Sequence, residues 1–275
     1  MKSIAILLTV HNRKMKTLQC LAGLYQQILE TDNQLDVYLT NDGCTDGTSD
    51  VVSRRFPEVN IITGSGNLYW NRGMHTAWKE AVRVKEYDYY LWLNDDTVLE
   101  DRALLTLLDT SVKVDNKSIV VGTTKSQKDG SITYGGRSSY GKLINPSESY
   151  QPCSFFNGNI VFIPNTVYKI VGMNDPFFHH SLGDFDYGLR ASKLGVKSYV
   201  APGILGTCDV HEVLPTWCNP KKSLKQRWKV FRSPLGQNPE EFFVFEKRHN
   251  GLMKAIFHYA TNHLRMLCPW IWNIK

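Results

Sequence analysis

Over the first 125 residues, short apolar runs alternate with stretches of helical period, and the apolar runs end in small polar residues. Residues 4–10, 37–39, 59–62, 89–93 and 118–122 read as strands. Residues 14–29, 49–56, about 73–86 and about 101–114 read as the helices between them. This alternation implies an α/β protein with a doubly wound, mainly parallel sheet and right-handed crossovers. Ligands of such sheets bind beyond the carboxyl ends of the strands.

Four of those ends are unusually polar: Thr9-Val10-His11-Asn12-Arg13, Thr40-Asn41-Asp42-Gly43, Thr63-Gly64-Ser65-Gly66-Asn67 and Asn94-Asp95-Asp96. On one sheet edge they make a site. Residues 125–149 are rich in Gly and Ser, with Tyr134 and Tyr140 interspersed, and suggest hairpins. Residues 155–163 read as a further strand, and Gly183-Asp184-Phe185-Asp186 leads into a helix ending near Gly195. A strand over 196–200 follows.

With 275 residues, 42% of them hydrophobic, the chain can bury a full core, which excludes a disordered chain. Its net charge of +6 is unevenly spread. Residues 1–214 hold 21 basic and 23 acidic side chains, whereas residues 215–275 hold 11 basic and 3 acidic, a balance of +8. The chain therefore divides into a near-neutral body over 1–214 and a basic extension over 215–275. No stretch approaches the roughly 18–20 apolar residues of a membrane span. Polar His11-Asn12-Arg13 stands where a leader peptide would need small residues. The six cysteines show no zinc spacing, so a cytoplasmic location is expected, in the cytosol or at the inner face of the membrane.

The motifs each allow a structural and a functional reading. Asp95 and Asp96 leave a buried strand together, so they either share a hard cation such as Mg²⁺ or Mn²⁺ or cap the next helix. Asp42 either serves turn and cap chemistry or accepts hydrogen bonds from a base or ribose. The segment from Gly64 to Gly73 could wrap a diphosphate, with Asn67 beside it and the Arg72 guanidinium on its oxygens. It lacks the spacings of a P-loop and of a dinucleotide fold. Asp184 and Asp186 are either dipole-favoured helix-start acids or include a general base.

Taken in order, these elements resemble the family 2 glycosyltransferases, inverting enzymes of the A-type glycosyltransferase fold, over roughly residues 3–212. Gly66-Asn67-Leu68-Tyr69-Trp70 and Gly183-Asp184-Phe185-Asp186-Tyr187-Gly188-Leu189-Arg190 resemble the rhamnosyltransferase-like branch that serves bacterial surface polysaccharide. The resemblance implies that Thr9, His11 and Arg13 line a nucleotide pocket and that Asp42 contacts the base. It implies Asn94 and Asp95 near ribose and diphosphate, Asp96 as ligand of a divalent Mn²⁺ or Mg²⁺, and Asp184 as catalytic base. His211 occupies the place of a further metal ligand; His179 and His180 are the runners-up, near the acceptor. Two positions depart from the family pattern: Asn94, where Asp is usual, and Gly183, where Glu is usual.

The expected reaction moves a sugar from a nucleoside-diphosphate sugar to a hydroxyl of a glycan or lipid-linked glycan, with Arg72 and the metal on the leaving group. The extension, with its lysines and tryptophans and a helix over 241–261, either attaches peripherally to anionic membrane or packs on the body or a second copy in a homo-oligomer. Two other classes compete. A nucleotidyltransferase would need a Gly-rich basic loop after the first strand, and Val10-His11-Asn12-Arg13-Lys14 has no Gly. A non-enzymatic nucleic-acid-binding module would rest on the basic tail alone; the −2 body carries no such motif, and nucleic acid is not an expected partner.

Overall fold

The computed structural model describes residues 2–28, 33–210 and 216–272. Five strands and four helices build the first half: β1 (Ser3–Val10), α1 (Lys14–Ile28), β2 (Gln34–Asn41), α2 (Thr48–Arg55), β3 (Asn60–Thr63), α3 (Tyr69–Val84), β4 (Tyr89–Leu93), β5 (Val98–Leu99) and α4 (Ala103–Lys113). The body continues with β6 (Ile119–Lys125), β7 (Ile132–Tyr134), β8 (Gly136–Arg137), β9 (Gln151–Cys153), β10 (Phe155–Phe156), β11 (Ile160–Pro164), α5 (Asn165–Val171), α6 (Gly183–Lys193) and β12 (Ser198–Thr207). Helices α7 (Leu224–Phe231), α8 (Pro239–Asn250) and α9 (Leu252–Leu267) form the extension.

The main sheet runs β3-β2-β1-β4-β11-β6-β12-β5, with β7 added to β6 and β9 to β12. Strands β3, β2, β1 and β4 are mutually parallel, as are β6 and β12. Both faces are covered, which is why β1 and β4 read as unbroken apolar runs: all five residues of β4 are buried. One core, with Leu8, Leu91 and Leu104, lies on one side of the sheet; the other, with Trp78, Trp92 and Tyr187, lies opposite. Helix α3 enters the second core through Met74, Ala77, Trp78 and Ala81, the i, i+3, i+4, i+7 face of an amphipathic helix.

Two expectations change. The run 155–163 is not one strand: β10 pairs with β8, while β11 enters the sheet centre antiparallel to β4 and β6. Gly158, in the turn between them, abuts the Trp70 indole so closely that a Cβ would stand 2.4 Å from it. The helix expected over 241–261 is two helices, because Gly251 adopts φ 92° between them. The basic extension has a small core of its own around Trp217, Cys218, Phe231 and Met266.

Candidate active site

The carboxyl ends of β1, β2 and β4 converge on two adjoining cavities of about 430 and 410 Å³, which share Arg13, Trp70, Asp95 and His180. Thr9, His11 and Asp42 line the first. Asn94, Asp96 and Asp184 line the second, with the Asn157–Asn159 turn. A hollow of about 490 Å³ at the opposite end of β1 holds none of these residues, and its Lys2 and Asp88 are paired with each other.

Arg13 joins the acidic end of β4. Its Nη1 donates to Asp96 Oδ2 at 2.8 Å and to Asp95 Oδ1 at 3.2 Å, and Lys16 Nζ stands 3.8 Å from the same Asp96 oxygen. Burial pushes the Asp95 carboxyl up to about 7, Arg13 opposing and Asp96 adding to the rise. Asp95 Oδ2 is buried with no hydrogen-bond partner among the described residues. Cys208 Sγ lies 3.6 Å from Asp96 Oδ1, and burial, with Asp96 adding, lifts its thiol to about 12. In the metal-free protein Cys208 is therefore a thiol.

These groups fit a hard divalent cation. An orphaned carboxylate oxygen beside a second carboxylate is an oxygen donor set, and Mg²⁺ commonly takes only one or two protein carboxylates and completes its shell with phosphate and water. No cluster of three or more His, Cys, Asp or Glu among the described residues could hold a metal by itself. His211 lies outside the described residues.

Asp184 sits in the first turn of α6, two residues after Leu182, whose φ of 70° is strained for a non-glycine residue. Asp184 accepts from the Gly158 and Phe185 amides, both at 2.9 Å. Burial nevertheless lifts its carboxyl to about 6 against the pull of those amides. Gly183 explains its own departure from the family pattern: a Cβ there would meet the buried Asn71 amide at 2.1 Å. Asn71 in turn donates to the carbonyls of Asp175 and Phe178, which hold the loop before α6.

Other expected positions have different local duties. Asp42 accepts from the backbone amides of Gly66, Leu68 and Tyr69 at 2.7–2.9 Å, so its carboxylate anchors the loop opening α3 while its edge lines the cavity. His11 Nδ1 bonds the Asp42 carbonyl at 2.6 Å. Asn94 Oδ1 accepts from Trp70 Nε1 at 2.7 Å, a bond that suits a neutral amide. Asn67 is exposed and lines neither cavity. Arg72 is directed away: its Nε donates to the Pro176 carbonyl at 2.8 Å, so Arg13 is the arginine at the cavities.

Several liners fall outside the site assigned from sequence, Trp70, His180 and Leu235 among them. Trp70 separates the two cavities, and its contact with Gly158 is invisible in a linear pattern. His180, a runner-up at the sequence level, lines both; burial and the neighbouring Arg13 push it down to about 4, so it is neutral at pH 7, and its Nδ1 has no partner among the described residues. Leu235, from the extension, borders the first cavity, a position that only the docking of the tail reveals.

A mostly parallel sheet with a two-chambered polar cleft at its strand ends, one chamber holding paired carboxylates and a further acid, defines the class of A-type-fold glycosyltransferases. The model for "Glycosyl transferase family 2" matches residues 5–173, more than half of the chain, and the protein belongs to that family. The family match supports sugar transfer rather than nucleotidyl transfer or nucleic-acid binding. No curated protein matches the chain. Among solved structures, S. aureus TarS is similar at a TM-score of 0.56 and 12% identity over 90% of this chain, which spans 43% of that one. TarS 1-349 in complex with UDP-GlcNAc gives 0.55 and 12%, covering 95% of this chain and 81% of that one. The mannosyltransferase PcManGT from Pyrobaculum calidifontis, in complex with GDP-Man and Mn²⁺, gives 0.57 and 15%, covering 98% and 73%. At these identities the likeness is one of fold.

Proposed function

We propose that the protein is an inverting, metal-dependent transferase that moves a sugar from a nucleoside-diphosphate sugar to a hydroxyl of a glycan or lipid-linked glycan, in the rhamnosyltransferase-like branch that builds bacterial surface polysaccharide. The observation that carries this reading is one cavity lined by both the Arg13–Asp95–Asp96 cluster and Asp184. Two solved structures of the same fold are complexes with UDP-GlcNAc and with GDP-Man and Mn²⁺, which supports a donor of this class.

In this reading the first cavity takes the nucleotide, against Thr9, His11 and the loop anchored by Asp42. Arg13 shares its donors between the two carboxylates and the diphosphate. Asp96 and Asp95 would hold the divalent cation, which when bound neutralises charge developing on the leaving diphosphate. The acceptor enters the second cavity. Its hydroxyl proton passes to Asp184, its oxygen bonds to the anomeric carbon, and the carbon–oxygen bond to the diphosphate breaks with its electron pair retained by the diphosphate. A single displacement inverts that centre.

Residues 1–214 form the catalytic unit and residues 215–275 an extension that contributes Leu235 to its rim. No described helix is long and apolar enough to cross a membrane. We place the reaction on the cytoplasmic side, with a lipid-linked acceptor presented at the inner face of the membrane. A thermal-shift panel of sugar nucleotides with Mn²⁺ tests the donor assignment, since a ligand at about 100 times its Kd stabilises by roughly 2.7 kcal/mol. One nucleotide should raise the Tm of the wild type, and Asp96→Ala should lose the Mn²⁺-dependent part. Absence of a shift with every nucleotide, or a shift untouched by EDTA, would contradict it.

A further inference from the structure

Helix α9 is apolar on two opposite sides. Its inner side, with Ala255 and Met266 buried, packs on the rest of the extension. At about 100° per residue, Met253, Ile256, Phe257, Ala260, Leu264 and Leu267 fall within a single arc of roughly 100° on the other side. All six are exposed, Met253 at 79% and Phe257 at 63%. Trp270 and Ile271, 58% and 45% exposed, continue this surface past the helix end. An amphipathic helix needs one apolar stripe to dock; the second is left for something outside the chain.

Helix α7 adds to the same region. Leu224 and Trp228, one turn apart, are exposed, and the Trp228 ring stands 6.3 Å from His263, at the edge of the α9 stripe. Beside them run Lys225 and Lys229, with Lys221 and Lys222 in the turn before the helix, all four exposed. Of the three carboxylates of the extension, Glu241 and Glu246 are buried against His179 and His258, and Glu240 pairs with Arg232 at the surface. None of these carboxylates meets Lys221, Lys222, Lys225 or Lys229, whose charge stays at the surface.

Charge decides among the occupants. Joining two copies through this face would bring like-charged surfaces together, whereas an anionic lipid surface complements the lysines and takes up the stripe and the tryptophans. We propose that the outer face of α7 and α9 seats on an anionic lipid bilayer, with Phe257, Leu264 and Trp270 in the acyl boundary and Lys225 and Lys229 at the headgroups. This names the surface and the lipid class for the membrane-side location given above, and it rests on that location, not on the transfer chemistry.

Co-sedimentation of the full chain with phosphatidylglycerol-containing vesicles and with pure phosphatidylcholine vesicles tests it, the Tm and the nucleotide-induced shift being read on the same samples. Binding should require phosphatidylglycerol and weaken with salt. The double substitution Phe257→Glu, Leu264→Glu should lower vesicle affinity at least about tenfold, and Lys225→Glu, Lys229→Glu should do so independently. In both variants the Tm and the nucleotide shift should stay at wild-type values. Indifference to phosphatidylglycerol, or binding unchanged in both variants, overturns the proposal. So does light scattering that shows a wild-type dimer turned into a monomer by the same Glu substitutions, which would assign the face to a second copy. Loss of the nucleotide shift with vesicle binding intact would count against the donor reading alone.

Discussion

Asp184 combines what a general base needs: a place in the cleft, two amides fixing its carboxylate, and a proton affinity lifted towards neutrality. In Asp184→Asn, turnover should fall by about 10³-fold while donor affinity by calorimetry stays within roughly twofold. Ordinary turnover in that variant would remove Asp184 from the role. Because the base acts ionised and its carboxyl is raised to about 6, kcat/KM should fall as pH drops through that value. A profile flat down to pH 5 would contradict the assignment. Gly183 gives a second check. Restoring the family's usual acid, Gly183→Glu, forces a side chain into the buried Asn71 amide, so it should lower the Tm and turnover together rather than improve catalysis. The acidic end of β4 and Asp184 could be singled out only through their order in the family resemblance, because caps and the helix dipole also place short acids after a strand and at a helix start. The direction of Arg72 is not legible in the sequence, because it depends on the Pro176 carbonyl, about a hundred residues away.

Single elements tie the extension to the chemistry. Helix α8 holds two segments that carry cavity liners: Glu241 bonds the amide and ring of His179, next to the cavity-lining His180. At its other end, Arg248 and His249 reach Asp186, two residues from Asp184 on α6. Asp186 is fully buried. Burial alone would raise its carboxyl, yet bonds from His249, Arg190 and Arg248 hold it below the usual range. Removing Asp186 leaves Arg190 without its carboxylate and Arg248 with Asp175 alone, so Asp186→Ala should cost about 3 kcal/mol in chemical denaturation. A loss below about 0.5 kcal/mol would show that α8 and α6 are not coupled through it. At this scale the parallel strands were readable from apolar runs between helical periods. The antiparallel entry of β11 was not, because strand direction is set by pairing with β4 and β6 rather than by the run itself. The break at Gly251 was available in the sequence, as a glycine between two helical stretches, but the helical periods on either side masked it.

Across the whole molecule, the uneven charge corresponds to two surfaces. The body sets Asp95 and Asp96 at the end of β4, where Arg13 and Lys16 meet them, while the extension turns Lys221, Lys222, Lys225 and Lys229 outward and buries Glu241 and Glu246. The fold class was legible because it follows from the order of elements, which is linear information. How the tail docks, and so why Leu235 borders the nucleotide side, depends on long-range contacts that leave no periodic trace. The central claim is that one cleft binds a sugar nucleotide and releases its diphosphate by a single displacement using Asp184. The most direct measurement is NMR of sugar-nucleotide turnover with an acceptor glycan, following nucleoside diphosphate release and the anomeric configuration of the product. The wild type should release diphosphate with Mn²⁺ present and give an inverted product, and Asp184→Asn should bind the donor yet release about 10³-fold more slowly. Retention of configuration, or equal release by the variant, would contradict the account.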